Sequence, residues 1–136
     1  MIVSKFGGTS VGTSINIKKV INIISGKSDK CVVVVSAFGG VTNLLIKASE
    51  FAVKGERADY LKIIEAVQNK HMDIVEDLFD KASQVNCKVF ILKHINRLKD
   101  TLNGVALLND LSEKSSAKIA STGEILSSFI IFPPSK

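Results

Sequence analysis

Only two cysteines, two histidines, two arginines and one tyrosine occur among the 136 residues, and each shortage removes a class of function. Cys31 sits in an apolar run and Cys87 in a polar junction, so both read as incidental thiols, not as a disulfide or a thiolate metal site. His71 and His94 have no cysteine or carboxylate cluster at metal-ligand spacing, and no metal site is expected. Base stacking and bidentate base reading need aromatic side chains and arginine, both scarce, so the net charge of +5 does not point to nucleic acid. The lysines alternate with acids, as in Lys70, Asp73, Glu76, Asp77 and Lys81, which is the pattern of a solvated face; Lys18-Lys19 is the densest basic spot. No apolar run approaches the roughly 20 residues of a membrane-spanning helix. Met1-Ile2-Val3-Ser4-Lys5 lacks the basic-then-apolar layout of a signal peptide. No membrane partner and a cytoplasmic location are the corresponding expectations.

What is present is a globular composition, 46% hydrophobic and 23% charged, at the length of one ordinary domain. Ile2 to Phe6 is short, mostly apolar and ends at Gly7-Gly8, which predicts a buried strand. Ile17, Val20, Ile21 and Ile24 then recur at helical spacing, with Ser14 as a cap and Gly26 as a stop. Cys31 to Val35 is a continuous apolar run suited to a parallel strand covered on both faces. After Gly39-Gly40, Thr42 or Asn43 begins a helix carrying Leu44, Leu45, Ala48, Phe51 and Ala52. The order strand, loop, helix, strand, loop, helix predicts an α/β fold with a parallel sheet over residues 1–53.

Residues 57–111 change character. Tyr60, Ile63, Ile64, Val67, His71, Ile74, Val75, Leu78 and Ala82 keep one helical stripe. Past a polar break from Ser83 to Lys88, a second stripe runs through Phe90, Ile91, Ile95, Leu98 and Leu102 to Asn103-Gly104, completing an inserted helical hairpin. A last helix spans 112–132 with Gly123 inside it. Its end, Ser127 to Phe132, is so apolar that it calls for a partner no later strand supplies, which suggests a chain that stops short of its full domain.

The chemistry gathers at the two glycine pairs. In Lys5-Phe6-Gly7-Gly8-Thr9-Ser10-Val11-Gly12, a Gly-rich loop between strand and helix lets backbone N–H groups approach phosphate oxygens. Lys5 would place a compact cation beside them. Neither standard phosphate loop fits. The glycine spacing is wrong for the dinucleotide fingerprint, and Thr13 stands where a P-loop needs lysine. Ser36-Ala37-Phe38-Gly39-Gly40-Val41-Thr42-Asn43 repeats the strand-end, glycine-pair, helix-start arrangement. If the two strands are parallel, both loops open on one carboxyl edge, where open α/β sheets bind ligands.

Lys5 to Gly12 resembles the opening signature of aspartokinases. Ser36-Ala37 with Gly40-Val41-Thr42-Asn43-Leu44-Leu45 resembles their second signature, and Ser121-Thr122-Gly123-Glu124-Ile125-Leu126-Ser127 their third. The resemblance implies the N-terminal half of an amino acid kinase-like parallel-sheet fold. It also implies ATP-dependent phosphorylation of the L-aspartate side-chain carboxylate, the first step towards lysine, threonine and methionine. By the same resemblance Lys5 is catalytic, and with Gly7, Gly8, Thr9 and Ser10 it faces the ATP phosphates. Ser36, Thr42 and Glu124 face aspartate. Magnesium is expected in a complete enzyme, with protein ligands outside this chain, and so is a homo-oligomer. His71, on the apolar stripe, reads as a core residue. The stretch alone is expected to be inactive. A non-catalytic remnant or interaction module is one alternative, and the front of a bifunctional aspartokinase–homoserine dehydrogenase is another.

Overall fold

Two short strands and five helices account for most of the residues described by the computed structural model, which are 2–6, 14–25 and 31–132. Strands β1 (Ile2–Phe6) and β2 (Cys31–Val35) pair in parallel, with Ile2 opposite Cys31 and Phe6 opposite Val35. Parallel neighbours need a crossover, and α1 (Ser14–Ser25) lies between them in the chain. Its Ile17 is fully buried, while Lys18 and Lys19 are exposed. The described residues are mainly helical, and their sheet consists of these two strands.

Helix α2 (Val41–Val53) starts right after a tight turn. The Val41 N–H donates to the Phe38 carbonyl at 3.0 Å, and Gly40 sits at φ 82°, the left-handed conformation that a type II turn reserves for glycine at this position. The helix therefore starts at Val41, one residue before Thr42. Val41, Leu45, Ala48 and Ala52 form its buried stripe.

Helices α3 (Arg57–Leu78) and α4 (Lys81–Leu108) form the hairpin, and α3 packs on both α2 and α4. Two expectations are corrected here. Ser83 to Lys88 is not a break: the chain turns at Phe79-Asp80, where the Asp80 carboxylate accepts from the Ser83 N–H at 2.9 Å and caps α4. The polar residues of that stretch occupy the outer face of a helix whose inner face carries Cys87, only 2% exposed and hence a core thiol. Burial raises the Cys87 pKa. Nor does Asn103-Gly104 end the hairpin. Leu102 and Val105 are both buried, and this packing carries α4 through Gly104 to a left-handed Asn109 at φ 50°. The Tyr60 hydroxyl donates to the Asn103 side-chain oxygen, and Asn109 Nδ2 donates to the Val53 carbonyl at 3.1 Å.

Helix α5 (Glu113–Ile131) is capped by Ser112, whose Oγ accepts from the Ser115 N–H at 3.0 Å. It packs on α2, α4 and β2. The supposedly unpartnered stretch Ser127 to Phe132 is largely covered by the chain's own core. Ser127, Ile130 and Ile131 are buried, and the Phe129 ring stacks on Phe90 at 3.6 Å between centroids.

Candidate functional site

The carboxyl end of β2 anchors the site. Because Phe6 lies opposite Val35, the ends of β1 and β2 are side by side, and Lys5 occupies the β1 position across from Val34. Gly7, Gly8, Thr9 and Ser10 lie outside the described residues.

The loop leaving β2 is held from two sides. On one side Phe38, 1% exposed, lies against the His71 imidazole of α3, with ring centroids 5.4 Å apart. His71 is fully buried; its Nδ1 lies 2.7 Å from the Val67 carbonyl, while Nε2 has no partner among the described residues. The carbonyl can only accept, so Nδ1 carries the proton and Nε2 is a bare lone pair in apolar surroundings. Desolvation lowers the His71 pKa to about 4, so the ring is neutral at neutral pH. The histidine is a core residue, as its position on the apolar stripe predicts.

On the other side stands α5. Its Gly123 lies so close to the loop that a Cβ there would come 2.7 Å from Ala37 Cβ and 3.2 Å from Val41 Cγ1. Four residues on, the fully buried Ser127 places its Oγ 2.8 Å from the Ser36 carbonyl and 3.1 Å from the Glu124 carbonyl. Positions 123 and 127 share one face of the helix. Glu124, between them in sequence, is displaced round the helix and exposed to solvent.

Besides Lys5 on β1, three sequence-predicted site residues are placed. Ser36 is half-buried at the loop start, Thr42 is exposed at the second residue of α2, and Glu124 is exposed on α5. The structure links Ser36 to the Glu124 turn through Ser127; no hydrogen bond among the described residues joins Thr42 to either. The Glu124 carboxylate can accept from a cationic amine, and the Ser36 and Thr42 hydroxyls can donate to an anion. Among the described residues no group of three or more histidines, cysteines or acids is placed to hold a metal ion. A separate groove of about 460 Å³ between α4 and α5, lined by His94, Arg97, Asp100 and Lys118 among others, contains none of these three residues. Gly123 and Ser127 stand in the third signature, but the sequence reading gave neither a contact of its own. Their signal was a helical glycine followed four residues later by serine, both on the buried face of α5.

Comparison with known proteins adds a family to this geometry. The model of the amino acid kinase family matches residues 1–131. A bifunctional aspartokinase/homoserine dehydrogenase of Buchnera aphidicola subsp. Acyrthosiphon pisum (strain APS) is 33% identical over 132 residues, covering 93% of this chain and 16% of that protein. An aspartokinase of Chlamydia muridarum (strain MoPn / Nigg) is 36% identical over 130 residues, covering 96% of this chain and 26% of its own length. The crystal structure of E. coli aspartokinase III in complex with lysine and aspartate matches with a TM-score of 0.81 at 27% identity, covering 96% of this chain and 28% of that one. The same enzyme in complex with aspartate and ADP matches equally well. The chain therefore spans only 16% to 28% of these relatives' lengths.

Proposed function

This chain belongs to the amino acid kinase family, and on that footing we propose that it forms the substrate-facing front of an aspartate kinase. The reaction is transfer of the γ-phosphoryl group of ATP to the side-chain carboxylate of L-aspartate, giving 4-phospho-L-aspartate. The observation that carries the reading is the docking of α5 on the β2 loop. Through Gly123 and Ser127, the turn bearing Glu124 is fixed to the loop bearing Ser36. The aspartokinase III structures, one holding aspartate with ADP, match 96% of this chain with a TM-score of 0.81.

In this reading Lys5 neutralises charge on the transferring phosphoryl group. The loop Gly7, Gly8, Thr9 and Ser10 presents N–H groups to the nucleotide phosphates. Ser36 and Thr42 bind the aspartate acid groups, and Glu124 takes its ammonium group. The acceptor carboxylate is already a nucleophile, so positioning and electrostatic stabilisation are what the protein must supply. The described residues offer no metal cluster, so magnesium would arrive with the nucleotide and find its protein ligands elsewhere in a family-length chain. A cytoplasmic homo-oligomer completes the reading. The bifunctional relatives of Buchnera and Arabidopsis thaliana favour a second version, in which the same front half belongs to an aspartokinase–homoserine dehydrogenase.

The test is a chimera in which residues 1–131 replace the matched segment of E. coli aspartokinase III. Aspartate-dependent ADP release is expected. Lys5→Ala should lower its turnover by about 10²–10³, the usual cost of one preorganised charge partner. A folded chimera without aspartate-dependent turnover, or one indifferent to Lys5→Ala, would overturn the assignment.

A further inference from the structure

Two features of α5 meet the β2 loop independently. A glycine in the middle of a 19-residue helix costs about 1 kcal/mol relative to alanine, so its presence calls for a reason. The reason is contact: at 2.7 Å from Ala37 Cβ, even a methyl group would force helix and loop apart. Ser127 is the second feature. A helical serine ordinarily bonds back to its own helix, and the Glu124 carbonyl at 3.1 Å offers that option. The nearer acceptor is the Ser36 carbonyl at 2.8 Å, 91 residues away in sequence. The hydroxyl has a single proton, and it is buried with no access to water.

We propose that Gly123 and Ser127 are positioning residues that set the rotation and height of α5 on the β2 loop, and thereby the separation of Glu124 from Ser36 and Thr42. The proposal rests on the reading of those three residues as the aspartate site. Gly123 sets how near the helix comes, and Ser127 sets its register against the strand end. Each is insufficient alone. Close packing without the hydroxyl leaves the helix free to slide, and the hydroxyl without close packing cannot reach. Glu124 lies one residue past Gly123, so a shift of the helix carries its carboxylate with it.

The experiment places nitroxide labels on Thr42→Cys and Glu124→Cys, both exposed sites, in the 136-residue chain with Cys31→Ala and Cys87→Ala. Helix content is followed in parallel. Gly123→Ala should move the distance peak outward, and adding Ala37→Gly should return most of that shift, because the second change removes the nearest atom the new methyl strikes and leaves only the milder contact with Val41 Cγ1 at 3.2 Å. Ser127→Ala should broaden the peak with helix content unchanged. In the active chimera, Ser127→Ala should raise the KM for aspartate about tenfold, the scale of one hydrogen bond, and leave the KM for ATP alone. Unchanged distances in Ser127→Ala and Gly123→Ala, or a Gly123→Ala shift that Ala37→Gly does not reduce, would overturn the proposal. Distances that respond as expected beside a chimera with no aspartate dependence would keep the positioning geometry and sink the kinase reading instead.

Discussion

His71 shows how one side chain ties stability to pH. Desolvation lowers its pKa to about 4; the hydrogen bond to the Val67 carbonyl opposes this, and the Lys70 charge adds to it. In the unfolded chain the ring titrates near the ordinary histidine value of about 6.5. Between those values the unfolded state binds the proton and the folded state does not, so stability is fully present above the unfolded pKa. It falls as pH drops towards 4. The loss reaches roughly 3 kcal/mol at about 1.4 kcal/mol per pH unit. We expect the thermal midpoint to drop between pH 7 and pH 4, and His71→Leu to flatten that drop, as read by circular dichroism. An equally steep profile in His71→Leu would assign the acid sensitivity to other groups. His94, whose pKa is also lowered, chiefly by burial and then by Arg97 and Lys93, adds a smaller effect of the same sign. That His71 is a core residue could be read from its place in the stripe Ile64, Val67, His71, Ile74. Its contact with Phe38 could not, because those residues come from different elements.

Among the helices, two glycines expose what sequence patterns miss. Gly104 and Gly123 both lie inside long helices, although the sequence pattern ends the hairpin at the first and runs the last helix through the second. Space around them differs. A Cβ at Gly104 would meet nothing within 4 Å, whereas one at Gly123 would strike Ala37. Gly104→Ala should therefore stabilise the chain by up to about 1 kcal/mol through helix propensity alone, measured by urea unfolding. At Gly123 the same change is expected to destabilise or displace α5. Equal effects at the two positions would mean that contact with the loop is not what retains Gly123. The misplaced breaks have a similar origin. Ser83 to Lys88 is polar because that part of α4 faces water, and composition alone does not separate an exposed face from an interruption. The capping carboxylate of Asp80 is the local signal that should have moved the helix start to Lys81.

For the molecule as a whole, the expected outcome is that the 136-residue chain releases no ADP in an aspartate-dependent coupled assay, while its chimera does. The reason is coverage: relatives such as aspartokinase III are several times longer, and this chain matches 28% of that structure. Measurable turnover by the chain alone would show that the described residues and their neighbours already suffice for phosphoryl transfer.

The order of strand, glycine pair and helix, the hairpin that follows, and the three signatures that place this chain in its family were all readable from residue types and spacing. The first two are properties of local backbone preference and of periodic burial, and the signatures are a resemblance carried by residue identity. What needed the folded chain was the meeting of α5 with the loop after β2. A residue's chemistry does not say which distant carbonyl its hydroxyl will reach, nor which neighbour forbids a methyl group. Ser127 over Ser36 and Gly123 against Ala37 are contacts between segments more than eighty residues apart, decided by how five helices pack on two strands.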